Sequence, residues 1–286
     1  MKQIVIFVTD QRQKSLVNKF GGRKSIVAPE DVDTVLEKAE LMIFPTPVRK
    51  LEADQEFCMY LQEVIIRNKE KGNGRQPVLV GGAFSKEWID FCKEEEIQYL
   101  DLLLQEQVVV GNAQITAEAA IMELIKRSPY RIQGEKYVVT GYGRCGMAMA
   151  QKLLALGAKV TVLARNRTQR FRAQQDGCVA VDYALAPEEV AGARAVINTV
   201  PAQVLGEAIL REMPRDAWIL ELASPPGGVD RALVDRYRIP LVEALGLPGK
   251  YLVNSSAELF YLEIEKQLLS QECVGENGKW IYQILR

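Results

Sequence analysis

The chain has 286 residues, enough for one large or two ordinary domains, and is 48% hydrophobic and 26% charged, in the range of globular proteins. Lys and Arg number 36 against 37 Asp and Glu, so a net charge of −1 gives no support to a nucleic-acid footprint. There is no histidine, and the five cysteines (58, 92, 145, 178, 273) are scattered without a C-x-x-C, which argues against a disulfide framework and leaves no metal site to expect.

In chain order, "QIVIFV" (3–8), "SIVAP" (25–29), "LMIFP" (41–45), "PVLVGG" (77–82) and "IQYLDLL" (97–103) read as short apolar strands with helix-compatible stretches between them. "IVIFV" is too short for a signal or a membrane span, so the cytoplasm is the expected location. The segment 112–134 reads as a connecting helix, apolar at helical spacing from Ala113 to Ile125, followed by a linker broken at Pro129 and Gly134. Then come "KYVVTG" (136–141), "KVTVLA" (159–164), "CVAVDY" (178–183), "AVINTV" (195–200), "AWILEL" (217–222) and "PLVEAL" (240–245). Near-continuous apolar strands alternating with helices imply parallel sheets covered on both faces. A last helix is expected over about 254–270, with Ser255 and Ser256 as candidate N-caps, and the tail after it has no clear assignment. The fold class expected is α/β with two Rossmann-like doubly wound domains. Residues 1–111 form one, with 254–286 returning to it, and 135–253 form the other.

One stretch carries chemistry. Gly141-Tyr142-Gly143-Arg144-Cys145-Gly146 follows an apolar strand and opens an Ala/Leu-rich helix that Gly157 ends. In a dinucleotide site Gly141 makes the tight turn, Gly143 leaves room for the pyrophosphate, and Gly146 lets helix and strand pack closely. The helix N-terminus offers free amides to the phosphates. The competing reading is a glycine-rich turn with no ligand. The end of the next strand reads Ala164-Arg165-Asn166-Arg167, with no acid from Lys159 through Gln175. Two guanidinium groups there suit a ribose 2′-phosphate, so NADP is expected over NAD; otherwise Arg165 and Arg167 are solvated. Thr199-Val200-Pro201 and Leu222-Ala223 lie at later strand ends, where ligands sit in open α/β sheets. Ser224 precedes Pro225-Pro226-Gly227-Gly228, which reads either as a tight loop or as backbone approaching a ligand. Lys250, after "GLPG", is a candidate anion partner.

"GYGRCGMAMAQKLLALGAKVTVLAR", "INTVP", "LASPPGG" and "GLPGK", in this order, resemble the A-type subunit of dipicolinate synthase. So do "NAQITAEAAI" and "VTDQRQ" (8–13). After "GLPGK" this chain reads "YLVNSSAEL", where the family has an Ala-Pro-x-Thr-Ala-Gly-like helix start. The resemblance implies an NADP-dependent oxidoreductase, working late in spore formation beside a flavoprotein-like B-type subunit of dipicolinate synthase. It implies oxidation of the 4-hydroxy-tetrahydrodipicolinate intermediate to pyridine-2,6-dicarboxylate, in a cleft between two domains. A homo-oligomer is expected, with no nucleic-acid or membrane partner. The dicarboxylate substrate calls for donors, and the candidates are Asp10, Arg12, Gln13, Asn112, Thr116, Ser224, Asn254 and Ser255. With no histidine, the catalytic candidates are Glu118, Ser224 and Lys250. Two other readings stay open: a different NADP-dependent enzyme, shikimate-dehydrogenase-like or imine-reducing, or a non-catalytic NADP-binding regulatory subunit.

Overall fold

A computed structural model describes residues 3–20, 23–26, 32–71, 77–269 and 281–285. Among these the strands form two six-stranded parallel sheets, one in each of two compact units. The first unit comprises Met1–Asn112 and Leu252–Arg286, the second Ala113–Tyr251.

The first unit runs β1 (Gln3–Phe7), α1 (Gln11–Lys19), β2 (Arg23–Ile26), α2 (Val32–Leu36), β3 (Leu41–Ile43), α3 (Arg49–Glu52) and α4 (Gln55–Lys71). It continues through β4 (Val78–Gly81), α5 (Lys86–Glu94) and β5 (Tyr99–Asp101) to the long helix α6 (Glu106–Arg127). Ile4, Val5 and Ile6 are fully buried, as a strand covered on both faces requires. One face packs on Leu36, Leu61, Ile65 and Trp88, the other on Leu16, Val17 and Phe260.

In the second unit follow β6 (Lys136–Thr140), α7 (Arg144–Ala155), β7 (Lys159–Leu163), α8 (Arg167–Gln175), β8 (Val179–Val181) and α9 (Ala186–Val190). Then come β9 (Ala195–Asn198), α10 (Glu207–Arg211), β10 (Trp218–Glu221), α11 (Arg231–Tyr237), β11 (Leu241–Glu243) and α12 (Leu247–Lys250). The chain finishes in the first unit with α13 (Val253–Ile264) and β12 (Ile281–Leu285).

Strand order in the second sheet is β11-β10-β9-β6-β7-β8. Counted from β6 this is the doubly wound dinucleotide-fold order, with its switch point between β6 and β9. The first sheet is ordered β2-β12-β1-β3-β4-β5. That is the flavodoxin-like order with one strand wedged between β2 and β1.

Three features depart from the sequence reading. The connecting helix begins at Glu106, not at 112: "VVVG" is poor helix sequence, yet Val108 is fully buried. A Cβ on Gly111 would stand 2.7 Å from Leu259 of α13, so the missing side chain permits close packing. Second, Ser255 and Ser256 are not caps; α13 starts at Val253 after Leu252 with no side-chain cap, and Ser256 is fully buried. Third, the unassigned tail contributes β12, whose Ile281–Leu285 pair with Gln3–Phe7 and whose other edge pairs with β2. Residues 270–280 of that tail, with Cys273, lie outside the described residues, as do positions 27–29 of the second expected strand.

Candidate nucleotide-binding site

β6 ends at Thr140 and the chain turns through Gly141 at φ +76°, a left-handed conformation that favours glycine. A Cβ there would also stand 2.7 Å from Val200 Cγ2. On Gly146 a Cβ would run into the carbonyl of Gly141, so helix α7 can lie this close to the turn only without one. Gly143 is different. It is the N-cap of α7 in extended conformation (φ −80°, ψ −169°), and a Cβ there would meet nothing within 4 Å. Gly143 opens onto free space in front of the amides of a helix N-terminus, the arrangement that suits a diphosphate. On these residues a dinucleotide fits.

The neighbouring strand ends are locked by a buried polar network. Asn198, at the end of β9, uses its whole amide. Its Oδ1 accepts from Thr140 Oγ1 and from Val200 N (3.2 Å), and its Nδ2 donates to Val200 O (2.9 Å) and Glu221 Oε1 (2.6 Å). Glu221, at the end of β10 and 5% exposed, also accepts from Ala223 N (2.9 Å) and Gly228 N (2.7 Å). It therefore holds both ends of the loop that carries Ser224. Thr199 closes the set, its Oγ1 donating to Thr140 O at 2.7 Å. Gly228 presses on the Asn198 side chain and Gly227 sits at φ +78° beside Glu221, so the glycine pair serves the protein's own packing.

The other expected nucleotide residues separate by what their side chains already do. Tyr142 is 5% exposed and donates its hydroxyl to Asp176 Oδ2. Burial, then that hydrogen bond, push its pKa up. Its ring belongs to the core, and only its backbone faces the turn. Cys145 is partly buried, and burial raises its thiol pKa against the lowering effect of Arg144. Ala164 is buried at the end of β7, while Arg165 and Arg167 are exposed. Asn166 caps α8, its Oδ1 accepting from Thr168 N (2.8 Å) and Gln169 N (3.3 Å). Arg144 and Pro201 are exposed, and Leu222 is partly buried.

Of the catalytic candidates, Ser224 is exposed. Lys250 stands 3.5 Å from Glu123 and over the Tyr251 ring. Glu118 is not brought to the turn: it is exposed and its Oε1 lies 2.7 Å from Lys152 Nζ, two turns along α7 from the glycines. Thr116 is partly buried within α6.

In the first unit, Asp10 caps α1, accepting from Arg12 N (2.9 Å) and Gln13 N (3.3 Å), while Gln13 Oε1 accepts from Asp10 N (3.0 Å). Both side chains are thus committed to a capping box. Arg12 is 7% exposed, donates to Thr46 O, and packs 4.9 Å over the Phe260 ring. Its Nε is buried with no hydrogen-bond partner, and burial lowers its pKa while Asp10 raises it. Asn254 Oδ1 accepts from Ser15 Oγ at 2.6 Å, Ser255 is exposed, and Asn112 is partly buried. The sequence reading missed Asn198, Glu221 and Thr140. Their signal was a single polar residue closing each of three apolar strands.

Fold and turn together define a two-domain α/β protein with a dinucleotide-binding domain of the kind dehydrogenases carry. Residues 130–228 match a family model described as NAD(P)-binding. Within that class the chain is a homologue of the A-type subunit of dipicolinate synthase. It is 28% identical to that protein of Bacillus subtilis (strain 168) over 219 residues, 76% of this chain and 73% of the relative. Its fold is similar to the crystal structure of the same dipicolinate synthase component from Bacillus halodurans, with TM-score 0.76, 24% identity, and coverage of 93% and 97% of the two chains. It is also similar to the apo-structure of D-lactate dehydrogenase from Escherichia coli, with TM-score 0.59, 14% identity, and coverage of 94% and 98%.

Proposed function

We propose that this protein is the nucleotide-binding component of a dipicolinate synthase. It would oxidise 4-hydroxy-tetrahydrodipicolinate to pyridine-2,6-dicarboxylate with NADP, in the cytoplasm of a spore-forming cell and beside the flavoprotein-like B-type subunit. Supporting the reading is a glycine turn at the sheet's switch point, open at Gly143, in a chain homologous to a dipicolinate synthase component. Residues 135–253 take the nucleotide: the amides after Gly143 hold the diphosphate, and Arg165 and Arg167 face the 2′-phosphate. Residues 1–111 with 254–286 form the substrate domain.

The reaction removes water, then a hydride and a proton, and aromatisation drives it, so the protein's task is mainly positioning. NADP, when bound, supplies the hydride acceptor. A dicarboxylate needs cations and donors. In the first unit these are Arg12, with its unused Nε, and Asn112, Asn254 and Ser255; Asp10 and Gln13 hold the turn that presents Arg12. In the second unit they are Thr116, the Ser224 hydroxyl and the Lys250 ammonium. Glu118 is engaged by Lys152 and Lys250 lies near Glu123, so water takes the proton and the Ser224 hydroxyl serves to orient it.

The test is a coupled assay in which the protein, with and without its flavoprotein-like partner, receives the freshly generated intermediate and NADP. NADPH and the aromatic product should rise together. Nucleotide binding without turnover, with the partner present, would make the protein a regulatory component. Turnover confined to another substrate would make it a different dehydrogenase.

A further inference from the structure

The acid that in NAD-selective sites closes the second strand is missing from the end of β7 in sequence, but one stands beside it in space. Asp182, just after β8, has its Oδ2 2.6 Å from Arg170 Nη1. The same nitrogen donates to the carbonyls of Ala164 (2.6 Å) and Arg165 (2.7 Å), which form the turn after β7. The carboxylate oxygen is therefore at most about 5 Å from either carbonyl. Three oxygens share a nitrogen that carries two hydrogens, so the guanidinium is fixed where it stands.

The side chains are 23% and 47% exposed, and an exposed pair of this kind adds little stability. Its effect is on local charge. Left alone, Asp182 would accept from a ribose hydroxyl and repel a 2′-phosphate, and two bare carbonyls would add partial negative charge. With Arg170 in place, all three oxygens are covered, and Arg165 and Arg167 set the sign of the turn.

We propose that Arg170 is a positioning residue for cofactor selectivity: by holding Asp182 and the Ala164 and Arg165 carbonyls, it makes a turn that contains an acid accept a phosphorylated ribose. The inference rests on the NADP reading above.

Fluorescence titrations of NADPH and NADH against the wild type, R170Q, R170K, D182N and R170Q/D182N separate the two ideas. The wild type should bind NADPH at least tenfold tighter than NADH; equal affinities would sink the NADP reading itself, before any variant is considered. R170Q should lose at least tenfold in NADPH affinity while NADH shifts less than threefold. R170K, which keeps the charge, should retain most of the preference, and the double variant should recover most of the loss. D182N alone should widen the NADPH-to-NADH ratio about threefold, and it decides the matter if R170Q does not fold. A wild type that prefers NADPH, with ratios unchanged in R170Q and D182N, would overturn the inference. So would equal losses for both nucleotides without recovery in the double variant, since a merely structural role produces that pattern.

Discussion

Three glycines in one turn do different jobs, and alanine distinguishes them. At Gly143 the backbone is one any residue adopts and a Cβ meets nothing. Gly143→Ala should therefore change stability by less than about 1 kcal/mol, because the gain through the unfolded state is opposed by alanine's poor fit at a helix N-cap. Yet, on the proposed function, it should weaken nucleotide binding at least tenfold, because the methyl fills the open space that the proposal gives to the diphosphate. Gly146→Ala should damage both, costing about 1–3 kcal/mol, because the Gly141 carbonyl must move. Thermal melts with and without NADP read the contrast, and parallel losses in both variants would contradict it. Asn198→Ala strips one donor from a buried carboxylate and the acceptor of Thr140, so about 1–3 kcal/mol of unfolding free energy should vanish in urea titrations. A loss below about 0.5 kcal/mol would mean the network is idle. Glu118→Gln breaks only an exposed ion pair with Lys152, and turnover should stay within about twofold; a hundredfold fall would return the base role to Glu118.

At the scale of elements, β12 is the least expected piece and a sharp test of the first sheet. It lies between β1 and β2, so its amides and carbonyls face partners on both sides. Gln283→Pro removes an amide from an interior strand and should cost about 3 kcal/mol or more, with loss of hydrogen-exchange protection over residues 3–7. Unchanged protection there would mean that β1 does not depend on the tail. Ten of the other strands were legible because each falls within an apolar run set between helical stretches, whereas β2, "RKSI", meets the expected 25–29 only at Ser25 and Ile26. "IYQIL" was not legible, because the strands it pairs with lie nearly the full chain length away in sequence. The start of α6 was hidden for another reason: "VVVG" disfavours helix by propensity, and burial of Val108 with the Gly111–Leu259 approach overrides it. The glycine turn could be read from spacing alone. The Thr140–Asn198–Glu221 network could not, because only the strand order β10-β9-β6 brings three distant residues together. Asp182 escaped likewise: it follows β8, and the pairing of β7 with β8 sets it beside Ala164.

At the scale of the molecule, two sheets of related winding carry contrasting chemistry at their strand ends. The first unit buries a guanidinium in the first turn of α1, the helix that follows β1, and the second opens a helix N-terminus at the turn after β6. A net charge of −1 supplies no general attraction for an anionic cofactor, so the proposed preference for NADP requires a local pull, from turn amides and the arginines after β7. The most direct test is calorimetric titration of the purified protein with NADP and, separately, NAD. The account predicts one nucleotide per chain, with NADP at least tenfold tighter and an advantage that shrinks as salt is raised. Equal or stronger binding of NAD would contradict the cofactor assignment, and no heat with either nucleotide would contradict the site.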